Sequence, residues 1–126
     1  MNKTEENCIR ECANVNLINR GIEKVDDSSD EIEKVAKILN LLGNETRLKI
    51  VLIVQNEQKV CVCDLSDILG ISVSAISQQL RKLKDANLLY NEKEAQTIYY
   101  LIHPEAGEIL THILDVFNHR LIKKVA

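Results

Sequence analysis

Residues 60–89 read VCVCDLSDILGISVSAISQQLRKLKDANLL. Gly70 divides this stretch into two apolar-periodic halves. Before it, Leu65, Ile68 and Leu69 give one face of a short helix, with Asp64 as a candidate N-cap and Asp67 three residues on. After it, Ile71-Ser72 makes a tight turn. A second helix opens after Ser72 and runs to about Ala86, with Val73, Ile76, Leu80 and Leu83 facing inward. Two short helices joined by a glycine-containing turn have the organisation of a helix-turn-helix. The outward positions of the second helix are Ser74, Ser77, Gln78, Arg81 and Lys82, and Lys84 extends the basic cluster. Glutamine and arginine pair with base edges in bidentate fashion, and serine and lysine serve bases or phosphates.

A solvated helix face is also polar, so the neighbouring elements decide between the two meanings. Leu88–Asn91 and Thr97–Ile102 are apolar and β-branched segments separated by Glu92-Lys93-Glu94-Ala95-Gln96, the pattern of a β-hairpin with a charged tip. A hairpin in that place is a wing, and Lys93 at its tip is positioned to reach a phosphate. The fold expected is mainly α with a small β-hairpin, a winged helix-turn-helix.

Upstream, Ile32, Val35, Ala36, Leu39 and Leu42 form a helical stripe over 30–42. Gly43 stops it and Asn44 caps a helix over about 45–55, followed by an extended piece at Lys59–Val62. Downstream, His103-Pro104 starts a long helix whose apolar face is Ala106, Ile109, Leu110, Ile113, Leu114, Phe117 and Leu121. That face is long enough to pack on the core or on a second copy. Residues 1–29 are polar and charged, with a short helix around Val15–Val25 and a break at Asp26-Asp27-Ser28-Ser29. They read as an N-terminal arm on a domain spanning 30–126.

The totals fit this picture. With 126 residues, 45% of them hydrophobic and only 3% aromatic, the chain suffices for one core built of Leu, Ile and Val. Its formal net charge is −3, so any surface for nucleic acid must be local. The N-terminus MNKTEENCIRECANVN has no apolar leader, and no run approaches the roughly 20 apolar residues of a membrane span. A cytoplasmic protein with reduced thiols and no membrane partner is expected. No Ser/His/Asp set, paired carboxylates or C-x-x-C motif points to an enzyme or a small-molecule substrate.

Four cysteines are left to explain. Cys8 and Cys12 form C-x3-C, and Cys61 and Cys63 form C-x-C. On a helix, residues i and i+4 share a face; in an extended piece, i and i+2 point the same way. Cys63 also adjoins a helix start, where the dipole favours a thiolate. Cys8 and Cys12 lie in a polar arm, so burial does not account for them. Four thiolates make a soft metal site, drawn from one chain or from two. The competing explanation is redox: the same thiols form disulfides under oxidant.

With these motifs in hand, the sequence resembles the ArsR/SmtB family of metal-responsive repressors. The resemblance is carried by LGNETRLKIV (42–51), VCVCDLSDILGIS (60–72), VSAISQQLRKLKDANLL (73–89) and IYYLI (98–102), and covers roughly residues 30 to 120. The C-x-C together with the N-terminal C-x3-C resembles the CadC-like, cadmium- and lead-sensing branch. The resemblance implies a homodimeric winged-helix repressor that binds double-stranded operator DNA and leaves it when Cd(II), Pb(II) or Zn(II) binds. It implies a site per subunit made of Cys8 and Cys12 of one chain with Cys61 and Cys63 of the other. The alternative is a thiol-redox-sensing repressor of the same fold.

Two features depart from the family pattern. Members with a zinc site on the last helix use Asp-x-His and His-x-x-Glu; the matching positions here are His103, Glu105, Val116 and His119. One is apolar, so His103, Glu105 and His119 make only an incomplete second metal site. His112 fits a surface or interface role. The wing of the family carries a glycine at its tip, whereas Glu94-Ala95 stand here, which suggests a wider hairpin.

Overall fold

The computed structural model describes Ile9 and residues 11–118, and the chain divides into two compact units, Met1–Ala36 and Lys37–Ala126.

In the first unit, α1 (Val15–Asp27) starts at Asn14, whose side chain accepts from the Leu17 N–H at 3.0 Å. Ser28 ends it, and α2 (Ser29–Leu42), which begins in the first unit and ends in the second, follows at once with Asp30 and Glu31 in its first turn. The break expected at 26–29 is thus confined to Ser28. No residue of α1 is buried; Val15, Leu17, Ile18, Ile22 and Val25 are all exposed.

The second unit holds the core. The side chain of Asn44 caps α3 (Glu45–Glu57), accepting from the Arg47 N–H at 3.0 Å. Ile50, Val51 and Val54 of this helix are fully buried. It ends at Gln58, whose φ of 76° reverses the chain into β1 (Val60–Cys61). Next come α4 (Val62–Leu69) and α5 (Val73–Asp85), then β2 (Leu89–Glu94), β3 (Thr97–Ile102) and α6 (Pro104–Leu114). The three strands form an antiparallel sheet in the order β1-β3-β2. Leu65 of α4, Ile76, Leu80 and Leu83 of α5, Leu88, Leu89, and Leu110 and Leu114 of α6 close the core with α3. Each such side chain taken out of water contributes about 1.5–3 kcal/mol.

The turn between α4 and α5 follows from local chemistry. Gly70 has φ 66°, a left-handed conformation glycine adopts at least cost, and its N–H donates to the Ser66 carbonyl at 2.9 Å. The Ser66 hydroxyl donates to the carbonyl of Ile71. Ser72 then caps α5, accepting from the Ala75 N–H at 3.1 Å.

Several expectations need correction. α4 begins at Val62, not after Asp64, and Cys61 is its N-cap residue. Pairing of β1 with β3 holds Cys61 extended, and the helix must turn at once to bring Leu65 into the core. Cys61 and Cys63 therefore do not share an extended segment. Val73 and Ile68 do not face inward: they are 47% and 57% exposed, at the ends of helices whose inner rows are filled by Ile76 and Leu65. The hairpin is narrower than expected. Its pairing runs to Glu94↔Thr97, leaving a two-residue turn, Ala95-Gln96, with Ala95 at φ 55°. The last α-helix ends at Leu114 and passes into a 3-10 turn over Asp115–Phe117, which leaves Phe117 half exposed. Leu121 lies outside the described residues.

Candidate functional site

α5 turns Ser74, Ser77, Gln78, Arg81 and Lys82 outward on one face, spaced three and four residues apart as α-helical geometry requires. All five are exposed, as is Lys84. The side chains of Arg81, Lys82, Lys84 and Lys93 have no hydrogen-bond or ion-pair partner among the described residues. No acidic residue occupies the first turn of α5, and Lys82 and Lys84 stand in its last turn. A chain of net charge −3 thus presents a local basic, hydrogen-bonding face of the size and shape that enters a major groove.

The wing lies beside this helix in sequence and is mixed in charge. Lys93 sits opposite Ile98 in the last pair but one before the turn and is exposed. Glu92 and Glu94 flank it. Glu94 is neutralised by Lys59, whose Nζ donates to Oε1 at 2.7 Å and Oε2 at 2.9 Å. The same Nζ stands 4.8 Å from the centre of the Tyr99 ring. The hydrogen bond to Glu94 holds the Lys59 ammonium above its ordinary pKa; desolvation opposes it with a smaller effect, and the Glu94 charge adds a still smaller one. Tyr90 donates to Glu92 at 3.3 Å; partial desolvation, then the Glu92 charge and this bond, push its phenol pKa up.

Cys61 closes β1 opposite Tyr99 of β3 and caps α4 without a side-chain hydrogen bond. It is half-buried, and Cys63, the second residue of α4, is exposed. Cys12, in the arm, is exposed, and all three are free thiols. Cys8 lies outside the described residues. Among the described residues no three of His, Cys, Asp and Glu gather closely enough to hold a metal ion. A groove of about 600 Å3 is lined by Leu52, Ile53, Val60, Asp64, Asp67 and Ile68 among others; neither Cys61 nor Cys63 lines it.

His103 is used as a helix cap. Its Nδ1 accepts from the Glu105 N–H at 3.1 Å, and its ring meets Tyr90 edge-on with centroids 6.1 Å apart. Glu105 is exposed, in the first turn of α6, and His119 lies outside the described residues.

Two residues escaped the sequence reading. Arg47 donates through Nε to the Leu41 carbonyl at 2.7 Å and through Nη1 to Gln79 Oε1 at 2.8 Å. Lys59 joins β1 to the wing. The only trace of the first in the sequence is its place three residues after the Asn44 cap; the second has none.

The sequence pattern of the "Bacterial regulatory protein, arsR family" matches residues 44–91, from the cap of α3 into β2. A putative arsenical resistance operon repressor from Halobacterium salinarum is 38% identical over 69% of this chain and 73% of its own length. The cadmium resistance transcriptional regulatory protein CadC of Listeria innocua is 31% identical over 77% of this chain and 80% of its own. The crystal structure of a transcriptional regulator HlyU from Vibrio vulnificus superposes with a TM-score of 0.65 at 32% identity, over 75% of this chain and 97% of that one. No helix among the described residues is long and apolar enough to cross a membrane. A glycine-turned pair of helices with an unpaired basic face, a hairpin wing and this kinship lead to one conclusion: the chain belongs to the arsR family of bacterial regulatory proteins and is a DNA-binding transcriptional repressor, not an enzyme.

Proposed function

We propose that the protein is a homodimeric repressor that leaves its operator when a thiophilic ion binds a thiolate site built from Cys61 and Cys63 with Cys8 and Cys12. The observation that carries this is the double role of Cys61, which ends the strand paired with the wing and caps the first helix of the helix-turn-helix. A bond formed at its sulfur pulls on both DNA-facing elements. Soft thiolate donors favour Cd(II), Pb(II) or Zn(II) over hard cations. The cadmium resistance named for the Listeria relative favours Cd(II) as inducer, and the arsenical resistance named for the Halobacterium relative makes As(III) the ion to compare.

In the metal-free dimer, two α5 helices enter successive major grooves about 34–36 Å apart, with Gln78 and Arg81 reading base edges and Ser74, Ser77, Lys82 and Lys93 serving bases or phosphates. Capture of the ion draws the arm cysteines to the head of α4 and favours a dimer shape that no longer fits that spacing. The coupling is reciprocal and of the order of 1–3 kcal/mol. His103, Glu105 and His119 are assigned no part in it, because His103 Nδ1 already holds the start of α6.

Titration of the fully reduced protein with Cd(II), followed by the ultraviolet absorption of metal–thiolate bonds, tests the site. About one ion per subunit is expected, with the band reduced in Cys61→Ser and in Cys12→Ser. An unchanged band in Cys61→Ser would exclude the C-x-C from the site.

A further inference from the structure

Arg47 is the third residue of α3, and its surroundings fix it twice over. Its backbone N–H donates to the Asn44 cap, and its half-buried side chain spans two other helices. Nε satisfies the Leu41 carbonyl, one of the orphan acceptors in the last turn of α2, where a cation also meets the negative end of the helix dipole. Nη1 holds Gln79 Oε1, in the middle of the recognition helix. Gln79 is half-buried, whereas its neighbour Gln78 is exposed and has no partner among the described residues.

Consecutive glutamines pose a choice of register. Successive residues on an α-helix are about 100° apart, so a full exchange of the two glutamines would expose the apolar row, but a much smaller rotation of α5 about its axis already re-aims its outward side chains. The apolar row Ile76, Leu80 and Leu83 opposes such a rotation, but apolar packing is non-directional. The bond from Arg47 is directional, and it holds Gln79, and with it α5, against that smaller rotation.

We infer that Arg47 is a positioning residue for DNA recognition: by holding Gln79 to the end of α2, it sets the rotation of α5 that points Gln78 and Arg81 at the bases. The inference rests on the operator-binding reading above. It differs from a phosphate contact in that Nε and Nη1 bond within the protein.

The test compares two labelled duplexes by fluorescence anisotropy: the protein's own promoter fragment, and a shuffled duplex of equal length and composition. Arg47→Met, Gln79→Met and the double variant are measured with wild type, in metal-free buffer across a salt series. The promoter affinity is expected to fall about tenfold in each single variant, the scale of one lost discriminating contact, with no further loss in the double variant. Affinity for the shuffled duplex and the salt slope stay at wild-type values. Should Arg47→Met fail to fold, Gln79→Met, which leaves the bond to Leu41 in place, carries the same expectation. Equal losses on both duplexes, additive losses in the double variant, or a salt slope reduced by about one would overturn the positioning role. A wild-type protein that does not tell the duplexes apart would overturn the operator reading itself, and this role with it.

Discussion

Cys61 stands directly opposite Tyr99 in the antiparallel pairing of β1 with β3. The first cysteine of the C-x-C pair is therefore part of the wing's sheet as well as the cap of α4. Two residues earlier, Lys59 reaches Glu94 at the far end of the hairpin and covers the Tyr99 ring. The segment 59–61 thus ties the C-x-C pair, the wing and the helix-turn-helix into one short piece of chain.

Cys61→Ser separates the proposed sensing role of this residue from its structural one. Cys61 caps α4 without a side-chain bond, whereas serine is among the preferred N-caps. The variant is expected to bind operator like wild type, to gain about 0.5–1 kcal/mol in stability, and to be unresponsive to Cd(II). Chemical denaturation and DNA binding with and without the ion check the three parts. Destabilisation by more than 1 kcal/mol would mean that the thiol matters to packing.

Arg81→Ala is expected to do the reverse. Arg81 is exposed on α5 and has no partner among the described residues, so its loss is expected to leave folding and Cd(II) uptake intact and to weaken operator binding roughly tenfold or more. Retained operator affinity would remove it from the interface.

Ala95→Gly addresses the wing tip. Ala95 adopts φ 55° in the two-residue turn, a conformation that glycine takes without the steric cost of a Cβ. The substitution is expected to stabilise the protein by up to about 1 kcal/mol, visible as a higher thermal midpoint with unchanged Cd(II) binding. A lower midpoint would show that the greater freedom of glycine in the unfolded chain outweighs the relieved strain.

The wing also sets an alkaline limit. Lys59 and Tyr90 both have folded-state pKa values above their ordinary 10.5 and 10.0. A raised pKa means that the folded state holds the proton more tightly, so the stability gained is complete below the ordinary value and lost as pH rises through the folded one. Stability is therefore expected to be insensitive to these groups near neutrality and to fall above about pH 10. Glu94→Gln should flatten the Lys59 part of that fall; an unaltered alkaline profile in this variant would show that the Lys59–Glu94 pair is not formed in solution.

Much of the helix-turn-helix was legible in the sequence, because its signals are local. Gly70 and Ser72 mark the turn and the cap, and the 3–4 spacing of Ile76, Leu80 and Leu83 separates the buried row of α5 from Gln78 and Arg81. The start of α4 was not legible. Asp64 is a good cap by type, but the pairing of Cys61 with Tyr99, 38 residues later in the chain, fixes the helix start instead. The span of the wing was hidden for a similar reason: Glu92 and Glu94 look like loop residues, yet they occupy strand positions, with Glu94 neutralised by Lys59 from β1's approach. The bond from Arg47 to Gln79 spans 32 residues and leaves no periodic trace.

The most direct test of metal-dependent release is fluorescence anisotropy of the labelled promoter fragment bound by fully reduced protein, titrated with Cd(II). Release complete at about one ion per subunit, and absent in Cys61→Ser, is the predicted result. Binding that Cd(II) leaves untouched, with release by peroxide instead, would contradict it and make the cysteines a redox switch on the same fold.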